Sequence, residues 1–379
     1  MRGCERLNFL TSLSVFYVAA FVLTYCIATF KNIRIPKTPL YALTAVFILA
    51  LSVIAFFTKP YEGDDLTFYY ELLGDMRQNG LMWTLKDSIY ASDVVINLYY
   101  YLIARTGVFQ LLPAVSVAII YTLFFSMLYQ IQDRYQTPSY SLLFFFFVHF
   151  SFLFFRWTLS GIRNYLAFAL FAYALMREFV LHKRGPLNWV LYLMATFTHF
   201  SLAFFLVIRL LCVRPIYDFL RRFKYVLAGW GILSGVLARL LVLVPIGIIQ
   251  KIGSKITDYF LFMQFDMRKV LLRFVLFLVL LLMYGLLHKY HKSAMAGKER
   301  YYQFLEIAML LILGSIFIPL LFDRCVGFLL FMAYPLFADY FSSAEKRSRY
   351  LIFALLAVPS LVMAVIQVID ALNYWAFYL

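Results

Sequence analysis

Hydrophobic stretches of about 20 residues recur from one end of this chain to the other, with few charges inside them. Wound as a helix, a stretch of that length crosses the roughly 30 Å hydrocarbon core of a bilayer. Of the 379 residues, 64% are hydrophobic and only 14% charged, against about 25% charged in soluble domains. A soluble globular protein, a disordered chain and a disulfide scaffold are excluded. The apolar runs are continuous rather than alternating, which argues against a β-barrel. In lipid, helices then remain, because each segment must pair its own backbone polar groups.

The runs predict an all-α fold: a polytopic transmembrane helical bundle of about ten spans in a single integral membrane domain, residues 1–379. The expected spans are Phe9–Phe30, Leu40–Thr58, Val108–Ile131, Ser139–Phe155, Trp157–Leu181, Tyr225–Ile249, Val270–Leu287, Tyr301–Phe322, Cys325–Phe341 and Tyr350–Leu372. The first has a basic start and no A-x-A cleavage site, so it reads as a retained span rather than a signal peptide. An eleventh run, Pro186–Val213, is basic at both ends. It reads as a re-entrant or broken helix pair with its break near His199, the alternative being one long tilted helix.

The net charge of +15 invites a nucleic-acid reading, but no soluble basic face exists to carry it. In a membrane protein, Lys and Arg mark the cytoplasmic side first. Lys31, Arg34 and Lys37; Arg177, Lys183 and Arg184; Arg209 through Lys224; Lys289 through Arg300; and Lys346, Arg347 and Arg349 all fall between spans or near their ends. Placing them in the cytoplasm puts both termini outside. The loop 59–93 then lies outside too, and its three cations against seven acids suit that face.

Arginines on the outer face are the exceptions. Arg156 and Arg163 flank the turn Trp157–Ile162, and two guanidiniums around a glycine can converge on a phosphate or diphosphate. Snorkelling to headgroups or a structural ion pair is the alternative. His199, at the suspected break, suits proton acceptance from a sugar hydroxyl. Asp64 and Asp65 open a helix closed by Asn79-Gly80. One of them serves as its N-cap, and the other is placed to bond sugar hydroxyls or act as a base. Tyr69 and Tyr70 can stack on sugar faces or anchor at the interface. Asp323 and Arg324 can pair with each other, or Arg324 can add a third cation to a phosphate site. His149 reads as core. Arg239, Arg273 and Glu306 lie within spans, where ionisable groups need partners.

Cys4, Cys26, Cys212 and Cys325 have no metal-ligand spacing and read as small apolar fillers. No Walker A loop, dinucleotide fingerprint, zinc signature or GxSxG elbow occurs. Gly231 to Gly235 has the spacing that permits close helix packing.

Four short motifs, in order, carry a family resemblance. The segment Ser160-Gly161-Ile162-Arg163-Asn164-Tyr165-Leu166-Ala167 resembles the Ser-x-x-Arg-(Gln)-x-x-Ala signature of EpsG-type membrane proteins. Ala195-x-x-x-His199-x-Ser201-Leu202-Ala203 is similar to that family's A-x-x-x-H-x-S-A element. Gly63-Asp64-Asp65 with Tyr69 and Tyr70 looks like its G-D-x-x-x-Y, and Asp323-Arg324 resembles its late acidic-Arg element. Their order matches over roughly residues 9–345. Asn164 stands where Gln is common, Leu202 where Ala is usual, and Lys59 near where Arg is frequent.

The resemblance implies a Wzy-like polymerase of exopolysaccharide or O-antigen synthesis, a multi-pass protein of the bacterial inner membrane. Such proteins join oligosaccharide repeat units carried on undecaprenyl diphosphate at the outer face. On that reading Arg156, Ser160, Arg163, Arg324, Tyr69 and Tyr70 bind substrate, and His199, Asp64 or Asp65 accepts the attacking hydroxyl's proton. No cofactor is expected, and with no metal-ligand set evident the transfer reads as metal-independent. The partners are the lipid-linked oligosaccharide, membrane lipids and other polysaccharide-synthesis proteins. A flippase for a lipid-linked sugar and a non-catalytic scaffold are the rival readings.

Overall fold

The computed structural model describes residues 37–60, 64–90, 93–136, 139–153, 155–230, 267–374 and 376–377. The expected span Phe9–Phe30, most of Tyr225–Ile249, Gly231 to Gly235, Arg239, Cys4, Cys26 and Gly63 lie outside the described residues. The described chain is helical apart from one two-residue antiparallel pair, Thr58–Lys59 with Ala376–Phe377.

Four described helices are long and apolar enough to cross a membrane: Leu40–Phe57, Leu111–Tyr135, Met267–Tyr290 and Lys346–Ile369. They become up to five if the bent pair Pro319–Met332 and Tyr334–Ser343 is one span. This corrects the expectation of about ten. The apolar runs are continuous in sequence, but the helices are not. Ser139–Phe155 yields a helix of 14 residues, Ser139–Phe152, which at 1.5 Å per residue reaches only about 21 Å. Trp157–Leu181 is divided at Gly161 and ends in a π-helix, Met176–Val180. Tyr301–Phe322 stops at Gly314 and passes through a 3-10 turn, Ser315–Phe317. Cys325–Phe341 breaks at Ala333. Apolarity reports burial as well as lipid contact, and these shorter helices bury their phenylalanines against protein. Phe144, Phe145, Phe150 and Phe152 are almost wholly buried.

The chain forms two compact units, residues 1–203 with 331–379, and residues 204–330. In the first, α1 (Lys37–Phe57) packs along α4 (Leu111–Tyr135). Between them in sequence, α2 (Asp65–Lys86) and α3 (Val94–Thr106) lie against each other. At Gly80 the backbone leaves the helical region (φ 81°, ψ −176°), so the helix begun at Asp65 ends there as expected and a second runs on to Lys86. Gly107 closes α3 in the left-handed region at φ 75°, and a Cβ there would lie 3.1 Å from the Arg77 guanidinium. Both positions suit glycine, which has no Cβ to clash.

After α5 (Ser139–Phe152) and the short α6 (Phe155–Ser160), α7 (Ile162–Leu175) and α8 (Pro186–Thr198) form an antiparallel hairpin that also packs on α3 and α4. α8 starts on a proline, as helices favour, and stops at His199, whose backbone is extended (φ −152°, ψ 107°). The helix resumes as α9 (Leu202–Leu211). His149 is buried and stacks on Phe124 at 3.9 Å, with Phe331 edge-on at 4.9 Å. It belongs to the core.

In the second unit, α10 (Arg214–Arg222), α11 (Met267–Tyr290) and α12 (Glu299–Gly314) converge on Glu306. The Glu306 carboxylate accepts the Tyr217 and Tyr284 hydroxyls at 2.6 Å each and faces Arg221 Nε at 3.5 Å. α11 and α13 (Pro319–Met332) are joined by an ion pair between Arg273 and Asp323. The first unit also holds α14 (Tyr334–Ser343) and α15 (Lys346–Tyr374), both packed on α5.

Candidate functional site

The start of α7 fixes the position of Arg163. Gly161 forms the N-cap, and Tyr165 N donates to Gly161 O at 3.0 Å. Arg163 Nη1 donates to Asp93 Oδ2 at 2.9 Å, and its guanidinium lies 3.9 Å over the Tyr90 ring. Asp93 is buried at the start of α3, with its own N–H bonded to Tyr90 O. Asn97, one turn on, donates its side-chain N–H to the same carbonyl at 2.7 Å. The turn before α3 therefore holds the acid and the ring that together grip the guanidinium.

Charge and burial are balanced here. The Arg163 side chain keeps 21% of its surface and Asp93 only 5%. A guanidinium has five N–H donors. Asp93 takes one, while Nε is buried without an acceptor among the described residues. The side-chain oxygen of the adjacent Asn164 is likewise buried and unbonded among them. Buried polar atoms left unbonded cost free energy, and a ligand rich in oxygens would satisfy the Arg163 donor.

Aromatic hydroxyls line the same place. Tyr69 packs its ring on Tyr100 at 5.4 Å, and both are buried. Burial pushes the Tyr69 phenol above its ordinary value, Tyr90 and Asp65 push it further, and Arg163 pulls it down. Burial also raises Tyr90, which Arg163 lowers and Asp65 and Asp93 raise. These couplings place Asp65, Tyr69, Tyr90, Asp93 and Arg163 within one electrostatic neighbourhood.

The expected site residues are distributed as follows. Asp64 is the N-cap of α2, its carboxylate accepting Leu66 N at 3.4 Å. Asp65 is the first residue of that helix and faces the tyrosines. Tyr70 turns away from Tyr69 toward Phe109, at 6.2 Å. Ser160 ends α6 beside Gly161. The side chain of Arg156 lies outside the described residues. Because α7 and α8 are antiparallel, His199 at the end of α8 shares the end of the hairpin where Arg163 begins α7. Arg324 belongs to the second unit, where its neighbour Asp323 pairs with Arg273 rather than within the Asp323-Arg324 dipeptide.

Sequence reasoning missed Asp93 and Tyr90. Asp93 is one of seven acids in its loop, and only the requirement that a half-buried arginine hold a counter-ion pointed to it. Nothing ranked it above the others.

Comparison with curated proteins and with solved structures finds no match. The EpsG family model matches residues 41–379, which covers Arg163, Asp93, His199 and every long apolar helix described above. The chain is therefore a membrane protein of the EpsG family.

Proposed function

We propose that the chain joins lipid-linked oligosaccharide repeat units in exopolysaccharide or O-antigen synthesis, at the outer face of the bacterial inner membrane. The observation that carries this reading is Arg163, held by Asp93 and Tyr90 with a buried Nε–H that has no acceptor among the described residues. A diphosphate oxygen supplies that acceptor. The carboxylate and the ring hold the guanidinium in place before the ligand arrives, which is how electrostatic stabilisation of a transition state is best delivered.

In the proposed step, a hydroxyl oxygen of the acceptor unit bonds to C1 of the donor's reducing-end sugar. The bond from C1 to the diphosphate oxygen breaks, and its electron pair leaves on that oxygen with undecaprenyl diphosphate. Arg163 stabilises the charge gathering on that phosphate. With Asp64 engaged as a cap, the attacking hydroxyl's proton passes to His199, which lies at the same end of the α7–α8 hairpin. Asp65 and Tyr90 line the approach and bond the sugar, with Tyr69 packed behind them.

The test is genetic. In cells lacking the wild-type gene, Arg163→Ala and His199→Ala should each leave single repeat units on the carrier while protein levels hold. Unchanged chain length in both would overturn the mechanism.

A further inference from the structure

The turn that joins α7 to α8 gathers a second set of cations, and their partners are of a different kind. α7 runs into the π-helix Met176–Val180, with Leu181 N donating to Met176 O at 2.9 Å. Such segments are rare and frequent at functional sites. Here the widened turn carries Arg177 next to the loop: Lys183 N donates to Arg177 O at 2.7 Å.

Five side chains then close a ring. Arg177 Nε donates to Asn188 Oδ1 at 3.1 Å, and its guanidinium lies 5.9 Å from the centre of the Tyr173 ring. Tyr173 Oη accepts from Gln130 Nε2 at 3.3 Å, and Gln130 Oε1 accepts the Lys183 ammonium at 2.8 Å. Asn188, almost wholly buried, donates to Lys183 O at 2.6 Å and locks the loop to the helix.

Among the described residues, the side-chain groups bonded to Arg177 and Lys183 are neutral, the amide oxygens of Asn188 and Gln130 and the Tyr173 hydroxyl. Elsewhere Arg163, Arg221 and Arg273 pair with carboxylates, those of Asp93, Glu306 and Asp323. Two acids close in sequence to Arg177 and Gln130 bond to tyrosines, Glu178 to Tyr192 at 2.9 Å and Asp133 to Tyr41 at 3.5 Å. Two positive charges are thus held side by side on neutral groups, with Arg184 exposed beside them. Asn188 fixes the guanidinium through Nε, and its two terminal nitrogens supply the fork that grips phosphate oxygens.

The depth is also informative. Gln130 lies near the end of Leu111–Tyr135, one of the helices long enough to span a membrane. The ring therefore sits where hydrocarbon gives way to headgroups, a place where basic pockets between helices take anionic phosphate.

We propose that Arg177 and Lys183 form a phosphate-binding site at this turn, separate from the Arg163 site and independent of its chemistry. The phosphate belongs to a lipid headgroup or is free in solution. The test is thermal unfolding of the full chain, purified in detergent, titrated with phosphatidylglycerol, with an uncharged galactolipid of the same acyl chains, or with inorganic phosphate against chloride of equal ionic strength. A rise with phosphatidylglycerol alone assigns a headgroup; an equal rise with inorganic phosphate assigns a free anion. Arg177→Gln with Lys183→Gln should weaken the response about tenfold for each cation lost. Lys183→Gln alone, at an exposed position that folding tolerates, should weaken it about tenfold while Lys183→Arg retains it. No response to either phosphate source, or an undiminished response in Lys183→Gln, overturns the site.

Discussion

Arg163 and Asp93, 70 residues apart in the chain, meet at 2.9 Å with the Tyr90 ring 3.9 Å from the guanidinium. The contact ties the start of α7 to the start of α3. Asp93→Asn removes the charge and keeps the shape, so the arginine loses its anchor without leaving a cavity. A charged hydrogen bond contributes about 1.5–3 kcal/mol, and Arg163's partial exposure puts the loss toward the lower figure. Thermal unfolding of the purified protein should show this. Chain length should fall with it, although Asp93 itself touches no substrate.

Arg163→Lys separates charge from geometry. Lysine keeps the positive charge but has no planar fork and no Nε–H. Polymer yield should stay close to that of Arg163→Ala, about a hundredfold below wild type. Yield near wild type would mean that charge alone suffices.

Asp64 and Asp65 are adjacent and should behave differently. Asp64 caps α2 through Leu66 N, so Asp64→Asn, an equally good cap, should leave both stability and chain length unchanged. Asp64→Ala should cost about 1 kcal/mol. Asp65→Asn should lower chain yield with little change in stability, because its charge faces the tyrosines.

Tyr69 and Tyr90 supply a pH prediction. Burial raises both phenols above their ordinary value. A group whose folded value is raised contributes stability that is fully present below its unfolded value, near pH 10, and is lost as pH rises toward the folded value. The protein should therefore destabilise steadily above about pH 10. Tyr69→Phe should flatten that decline, measured as unfolding temperature against pH.

Glu306 is the corresponding anchor of the second unit. Removing it leaves the Tyr217 and Tyr284 hydroxyls and Arg221 without their shared acceptor. Glu306→Ala should cost about 2–3 kcal/mol, and Tyr217→Phe or Tyr284→Phe about 1 kcal/mol each. The three effects should be non-additive in a double-mutant cycle, since one carboxylate serves all of them.

The family was legible in sequence because four short motifs follow one another in the expected order. The helix of Asp64 to Gly80 and the break at His199 were legible from capping residues and from basic ends that a single helix could not reconcile. The number of spans was not. Window hydropathy registers apolar side chains, and it does not distinguish a phenylalanine facing lipid from Phe145 facing Tyr334 and Phe337. Nor does it register the breaks at Gly161, Ser315–Phe317 and Ala333. The partners of the inward arginines were hidden for another reason. Arg273 with Asp323 and Arg163 with Asp93 join residues 50 and 70 positions apart, and only the packing of the intervening helices brings them together.

The central claim is that Arg163 binds the diphosphate that leaves when repeat units are joined. The most direct measurement uses the purified full chain, a synthetic polyprenyl-diphosphate oligosaccharide, and simultaneous counting of released polyprenyl diphosphate and new glycosidic bonds. The account predicts one carrier released for each bond formed, with Arg163→Ala about a hundredfold slower at saturating substrate. Wild-type protein that binds the lipid-linked unit but releases no carrier, or an Arg163→Ala variant that turns over at the wild-type rate, would contradict it.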